Sequence, residues 1–358
     1  MEPSAPGQRS GALRLEGGWG FATPLAALIL LVLPWQAAYA ERLPGEEIIS
    51  SRSQRRVQLS RWTDENGRLW MVKRAPSSPR ELRAYKILSQ HTPDSTLEVL
   101  WERSLQADAL VVEWADDPTW GKMMIQRALD QGEIEPAIDM MRQVLTILRQ
   151  WRSIPGWHGA QPDQPSRLWR WVQLEMGPQL QGGHHLALRI DPNRPLLLDT
   201  PFGTIHIPHL QGMLQAWGQM ANPLRAQAGL TMIDLKADHV VQHKGTTRLL
   251  DYESCRSDDF AMTVARWWRD VLENQSALLR RCHPRVVVAS NHVTASFDSV
   301  AVERLKELQH AWITMATDGH QDGRPEFRQL VWSAMAMQAA RRLLTGTAQQ
   351  PRLEYRTL

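Results

Sequence analysis

Two apolar runs in the middle of this chain each end in an acid, and no other feature constrains it as much. Thr231-Met-Ile233 runs into Asp234-Leu235-Lys236, and Leu249-Leu250 runs into Asp251-Tyr252-Glu253, 17 positions after Asp234. Short apolar runs bounded by turn residues read as buried strands. Lys244-Gly245 supplies the punctuation between them. The segment Thr231–Asp251 therefore reads as strand, turn, strand, with a carboxylate at the end of each apolar run.

The residues upstream read as a small β-rich unit carrying one helix. Ile48-Ile49 and Val57-Gln58-Leu59 are strand candidates, and Asp64-Glu65-Asn66-Gly67 holds the Asn-Gly hairpin signal. Arg68-Leu-Trp-Met-Val-Lys73 alternates toward Lys73. Ser78-Pro79-Arg80-Glu81 then predicts a helix start, with Ser78 as N-cap, Pro79 at the first helical position and Glu81 closing a capping box. Leu82, Tyr85 and Leu88 form its apolar face. Leu97–Trp101 and Ala109–Trp114 are two further strand candidates, the second ending at Asp116-Asp117-Pro118.

From there the pattern turns helical. Pro136–Trp151 and Leu210–Ala228 are helix candidates, with Pro223 ending or kinking the second. Between them, 155–209 is rich in Pro, Gly and His and reads as an insertion. Asp258-Asp259 reads as a helix N-cap pair, and the remainder reads as helical, with Val300–Thr317 and Arg324–Leu344 at helical spacing. The order is a small β-rich lobe followed by a larger helical lobe containing one hairpin.

Composition excludes several classes. With 43% hydrophobic and 22% charged residues, the chain is not collagenous, coiled-coil, disordered or polytopic in a membrane. A net charge of +3 is too small to point to nucleic acid. Cys255 and Cys282 make neither a disulfide framework nor a zinc site. His184-His185 and His206-Ile-Pro-His209 lie in the insertion without a third ligand at metal spacing. The 16 Trp imply broad packing surfaces.

Lys73, Glu81, Asp234 and Asp251, taken in that order, resemble the protein-kinase-like superfamily, in its aminoglycoside-phosphotransferase and lipopolysaccharide-core-kinase branches. Asp234-Leu235-Lys236 is similar to the D-L-K of the catalytic loop, and Asp251-Tyr252-Glu253 to the D-F-G or D-W-E that follows it. Asp259-Phe-Ala261-Met-Thr-Val264-Ala265 is similar to D-P-A-Y-D-L-A, and Val72-Lys73 with Arg80-Glu81-Leu82 to the strand lysine and helix glutamate. The resemblance spans roughly 45–280. It implies an α+β, bilobal kinase-like fold, with a β-rich lobe over 41–114 ending at a hinge. A mainly helical lobe follows over 115–358, carrying the insertion 155–209 and a helical tail 297–345.

The resemblance also implies ATP and Mg²⁺ as cofactors and a small-molecule or glycan hydroxyl as acceptor. On it, Lys73 holds the nucleotide phosphates and Glu81 holds Lys73. Ser51 and Ser53 line the phosphate loop in place of glycines, and Glu113 lies in the hinge strand beside the nucleotide. Asp251 and His239 are the metal ligands. Asp234 orients the acceptor hydroxyl and takes its proton, and Lys236 reaches the γ-phosphate. Met232 stands where the family has His, and His239 where it has the metal-binding Asn. Those departures keep open a pseudokinase, a nucleotide-binding or regulatory module without turnover. The absence of an A-P-E segment argues against a protein kinase.

The first 40 residues read differently. Between Glu16 and Glu41 lie 24 uncharged residues, with the apolar stretch Leu25–Leu33 and an Ala38-Tyr39-Ala40 end. These features describe a secretory signal. Arg42, Arg52, Arg55 and Arg56 after the run favour an uncleaved anchor with a cytoplasmic body, associated with the inner membrane through 17–40. An over-called start codon is the third reading. A cytoplasmic body suits ATP chemistry, whereas an exported one would be an envelope-binding protein with only inherited kinase architecture.

Overall fold

The computed structural model describes residues 42–52, 57–115, 118–154, 191, 194–200, 203–209, 212, 229–243, 245–274, 285–296, 300–318 and short pieces of 327–335. The expectations for 1–40, Ser53, His184-His185, the helix over 210–228 and Cys282 fall outside these residues.

Strands β1 (Glu47–Arg52), β2 (Val57–Thr63), β3 (Leu69–Arg74) and β4 (Leu110–Glu113) form one antiparallel sheet in chain order. The expected Asn-Gly turn joins β2 to β3. Asp64 Oδ1 accepts the backbone N–H groups of Asn66 and Arg68, each at 2.9 Å, and Gly67 takes φ 77°. Alternation along β3 sends Trp70 and Val72 to an outer core with Leu43, Trp62, Ala109 and Val111. Met71 packs on the main core with Leu110 and Val112 of β4, and Lys73 shares that inner face.

Helix α1 (Ser78–His91), a 3₁₀ turn at Pro93–Ser95 and α2 (Trp101–Gln106) lie between β3 and β4. The cap of α1 is Ser77 rather than Ser78, and no side chain closes it. The Ser78 hydroxyl instead accepts from the Ala75 N–H at 3.0 Å and donates to the Lys73 carbonyl at 3.3 Å. Glu81 is consequently free of the capping box and turns inward. Leu97–Trp101 yields one bridge, Val99 to Val112, and not a strand, because Trp101 already opens α2.

Beyond β4 come β5 (Thr119–Trp120), α3 (Gly121–Gln131) and α4 (Ile134–Arg152). On α4 the residues Ala137, Met140, Met141, Val144, Leu145, Leu148 and Trp151 are buried, a stripe at helical period. Gly121 lets α3 approach the second half closely: a Cβ there would lie 2.9 Å from the Ala237 carbonyl oxygen.

The second half contains β6 (Leu196–Thr200), β7 (Gly203–Ile207), β8 (Gly229–Met232), β9 (Val240–His243), β10 (Thr246–Leu249), β11 (Cys255–Asp258), α5 (Phe260–Asn274), β12 (Arg285–Ala289), β13 (His292–Ser296) and α6 (Val300–Asp318). β9 and β10 form a hairpin with β5 at its edge, but the apolar run at Thr231-Met232, expected to be the first strand of that hairpin, lies in β8 and pairs with β11 instead. Asp259 Oδ1 caps α5 by accepting the Ala261 N–H at 2.7 Å.

α5 is buried nearly all round, as the central helix of a large core. Trp267 stacks on Trp312 of α6 at 5.3 Å, and the Trp312 Nε1–H donates to the Val264 carbonyl at 3.0 Å. Not all of the region after Asp259 is helical. β12 and β13 form a hairpin through Ser290 (φ 58°), and β13 pairs in parallel with β6 of the insertion. The result is a second four-stranded sheet, β12-β13-β6-β7. Among the described residues no helix is long and apolar enough to cross a membrane.

Candidate active site

Asp234 lies in the loop between β8 and β9 and Asp251 directly after β10, and each is fastened to a different part of the molecule. Asp251 is held from the first sheet. Lys73 Nζ, at the end of β3, donates to Asp251 Oδ1 and sits 2.8 Å from Glu81 Oε2 of α1. Asp251 adopts a left-handed backbone, φ 64° and ψ 56°. That conformation costs a non-glycine residue free energy, and the surroundings must enforce it.

The next two residues supply that enforcement. The Tyr252 ring lies 4.3 Å from Tyr85 of α1 and 5.4 Å from Trp151 of α4, and its hydroxyl donates to the Ser95 carbonyl at 3.2 Å. The Ser77 hydroxyl donates to Glu253 Oε2 at 2.6 Å.

Asp234 is held from α5. The Nε–H of Arg266 donates to Asp234 Oδ1 at 2.9 Å, and Arg266 Nη2 lies 2.8 Å from the same oxygen. Lys236 Nζ lies 2.6 Å from the other oxygen, Oδ2, and the Asp234 N–H donates to Ser254 Oγ at 3.1 Å. Three residues on, the Ala237 N–H donates to Asp270 Oδ2 at 3.0 Å, which pins the loop to the same helix. His239 closes the loop, with Nε2 3.3 Å from Asp251 Oδ2, and its carbonyl accepts the Leu250 N–H at 2.8 Å.

Burial and charge compete at every group in this cleft. Burial alone would raise the Asp251 carboxyl, but Lys73 and then His239 outweigh it and hold the group below its ordinary value. Asp234 behaves likewise, with Arg266 and Lys236 as the opposing charges. Burial would lower the Lys73 ammonium, yet Glu81 and Asp251 keep it protonated and above its usual range. Glu81 goes the other way: burial pushes its carboxyl up to about 7 against the pull of Lys73. Burial also lowers His239, which favours the neutral imidazole.

The remaining sequence candidates are placed more simply. Ser51 lies exposed near the end of β1, opposite Gln58. Glu113 ends β4, and its buried carboxylate binds Arg248 Nη1 at 3.0 Å, Arg68 Nη2 at 3.3 Å and His243 Nε2 at 3.4 Å. Its backbone N–H donates to the Glu98 carbonyl at 2.8 Å. Cys255 is buried, and burial raises its thiol well above the usual value, which rules out an activated thiolate. His206 and His209 are exposed.

The donor set suits a hard cation. Glu81, Asp251 and Glu253 each offer a carboxylate oxygen, and these lie within 4.8 Å of one another. Such oxygen donors fit Mg²⁺. The neutral His239 imidazole lies beside Asp251, and its Nδ1 is buried without a hydrogen-bond partner.

A glucosamine kinase solved with glucosamine, ADP and inorganic phosphate superposes on this chain with a TM-score of 0.50. The match covers 89% of this chain and 92% of that one at 11% identity. The fold is the bilobal protein-kinase-like one. A macrolide 2'-phosphotransferase type I matches with TM-score 0.47 at 12% identity, over 94% of this chain and 97% of that one. A choline kinase from Cryptosporidium parvum Iowa II matches with TM-score 0.44 at 12% identity, over 93% and 90%. No protein-family model matches the chain, and no curated protein sequence does.

Within the kinase-like fold, the first sheet with α1 is the N-lobe and the helix-rich remainder the C-lobe. Lys73, Glu81, Asp251 and His239 come together in one connected cluster, and Asp234 with Lys236 forms a second beside it. Four residues escape the sequence reading: Arg266, Asp270, Ser77 and Glu253. Arg266 and Asp270 carry no local signal, since both lie within a helix that pattern reading treats as core. Glu253 is adjacent to Asp251 and falls in the D-W-E pattern, which is a usable pointer.

Proposed function

We propose that the chain is an ATP- and Mg²⁺-dependent phosphotransferase acting on a hydroxyl of a small molecule or glycan. The observation that carries this reading is the way the two acids are held. Asp234, in the β8–β9 loop, is set between Arg266 and Lys236, and Asp251, after β10, is bound to Lys73 of the opposite lobe, which Glu81 also pairs. The glucosamine kinase that shares the fold was solved with ADP and a sugar, which supports nucleotide and hydroxyl acceptor alike.

Phosphoryl transfer depends chiefly on placed charge. In this reading Lys73 takes the α/β-phosphates and Glu81 keeps Lys73 extended toward them. Ser51 of β1, with Ser53 after it in the sequence, would donate to the phosphates, and Glu113 fixes the hinge against which the nucleotide lies. Asp251, with His239 and Glu253 alongside, would hold Mg²⁺, which when bound neutralises charge on the phosphate oxygens. Asp234 accepts the proton of the acceptor hydroxyl as that oxygen bonds to the γ-phosphorus. The bond from phosphorus to the bridging oxygen breaks, and ADP departs with the electron pair. Lys236 follows the γ-phosphate. ATP chemistry suits a cytoplasmic body, with 17–40 as the attachment to the inner membrane.

One observation favours a pseudokinase as the second reading: Lys73 and Lys236, the two phosphate-seeking cations, are each engaged by one of the two acids, Lys73 by Asp251 and Lys236 by Asp234. Thermal-shift titration of the full chain with ATP, with and without Mg²⁺, separates the two. The enzyme reading expects a Mg²⁺-dependent rise in Tm that Asp251→Ala removes, and intact-mass addition of phosphate to one member of a panel of sugars, aminoglycosides and core oligosaccharides. A rise indifferent to Mg²⁺ and to Asp251→Ala leaves the pseudokinase standing. No rise at all refutes both.

A further inference from the structure

We infer that Arg266 is the positioning residue of the proposed base, fixing Asp234 so that Oδ2 alone is the oxygen presented to the acceptor. This inference rests on the phosphotransferase reading. The two oxygens of Asp234 have unlike surroundings. Oδ1 receives Arg266 through two nitrogens, Nε at 2.9 Å and Nη2 at 2.8 Å. Oδ2 receives only Lys236, at 2.6 Å, among the contacts described.

The two cations also differ in freedom. The Arg266 side chain is 11% exposed and rises from α5, whose flanking Trp267 and Trp268 are fully buried, so it cannot swing away. Lys236 sits on the loop with twice the exposure, 23%, and a flexible four-carbon stem. A planar guanidinium that places two nitrogens on one oxygen sets the orientation of a carboxylate as well as its charge.

The division of labour follows. A carboxylate turning freely about its Cβ–Cγ bond offers either oxygen, and half of its orientations are unproductive. Arg266 removes that freedom and commits Oδ1. Arrival of a γ-phosphate gives Lys236 a second anion to follow, which uncovers Oδ2 beside the acceptor hydroxyl. Arg266 touches neither substrate and acts only through Asp234. Asp234 is faced by Lys236 from its own loop and Arg266 from α5, with His239 further along the loop.

The test uses the full chain with Mg²⁺ and ATP, the acceptor being whichever panel member wild type phosphorylates, or water if none is. Arg266→Gln is expected to lower kcat about 10²-fold, on the scale of a misplaced general base, with KM for ATP within about twofold. Its acid limb of kcat moves to higher pH, because a cation facing the base is gone. Arg266→Lys restores the position of the limb but only part of kcat, since one nitrogen replaces a fork. If the Gln variant does not fold, the Lys variant alone carries the comparison. An unchanged kcat overturns the inference. So does a loss of kcat and Tm together with the limb unmoved, which is the mark of a packing role. If wild type consumes no ATP with any acceptor, the phosphotransferase reading fails, and the inference falls with it.

Discussion

The two loops that deliver the acids differ in what they are tied to. The loop around Asp234 is fastened to α5, through Arg266 on the carboxylate and Asp270 on the Ala237 N–H. The loop around Asp251 is fastened to the opposite lobe, through Lys73, Ser77 and Tyr85. One acid therefore has its position set within the C-lobe, where a rigid helix fixes it. The other is held across the lobes, by Lys73 and Ser77 on one side and by His239 and Trp151 on the other. On the proposed function, a base has to be fixed relative to the acceptor and a metal ligand relative to the nucleotide, and the two anchorages suit those needs.

The largest effects come from removing the acids themselves. Asp234→Ala should cut kcat by about 10²- to 10⁴-fold and leave the ATP-induced rise in Tm intact. Asp251→Ala should lose both, because its carboxylate also ties the lobes. Calorimetric ATP binding beside steady-state turnover reads the difference. Equal binding losses in the two variants would erase the distinction between the loops.

Next comes the cross-lobe tie. Lys73→Met leaves Glu81, 1% exposed, without its partner. Breaking a buried pair in this way costs about 3–5 kcal/mol. The expected loss lies near the lower end, because Glu81 can take up a proton, its carboxyl already being pushed up to about 7. Adding Glu81→Gln should recover most of the loss in urea unfolding. No loss in Lys73→Met would mean that the N-lobe does not rely on this tie.

The smallest effect tests the helix anchorage by pH. Burial raises the Asp270 carboxyl from 3.8 to about 6. Between those values the unfolded chain has released a proton that the native state retains, so stability falls as pH rises through that window. Asp270→Asn keeps an oxygen for the Ala237 N–H and removes the titration. Its Tm should therefore gain on wild type as pH climbs from about 4 to about 6 and hold level above that. A constant difference across the window would show that Asp270 does not titrate there.

Much of this cleft can be read from the chain because its parts are local. The β2–β3 hairpin, the Lys73 strand, the helix of Glu81 and the β9–β10 hairpin are each set by neighbours within a few positions. Glu81 is visible twice over, as a capping-box acid and as the partner of Lys73; with Ser77 at the cap only the second role stands. What escapes is long-range. Arg266 meets Asp234 across 32 positions, and no period or motif ties the two. The β12–β13 hairpin is a different kind of miss. Val286-Val287-Val288 followed by Ser290-Asn291 carries a strand and two-residue turn signal, obscured by the helical pattern on either side.

The parallel pairing of β13 with β6 bears on how the chain is made. Asn291, which leads into β13, accepts the N–H of Asp191, 100 positions earlier, on its side-chain oxygen. As the chain leaves the ribosome, the N-lobe sheet is complete once β4 has emerged, whereas the β6–β7 pair keeps the other edge of β6 open until β13 is synthesised. Both acid-bearing loops and Arg266 lie within the interval. Of the described strands β13 is the last to arrive, and it acts as a clasp: by docking on β6 it closes a loop of chain that contains both acids and Arg266.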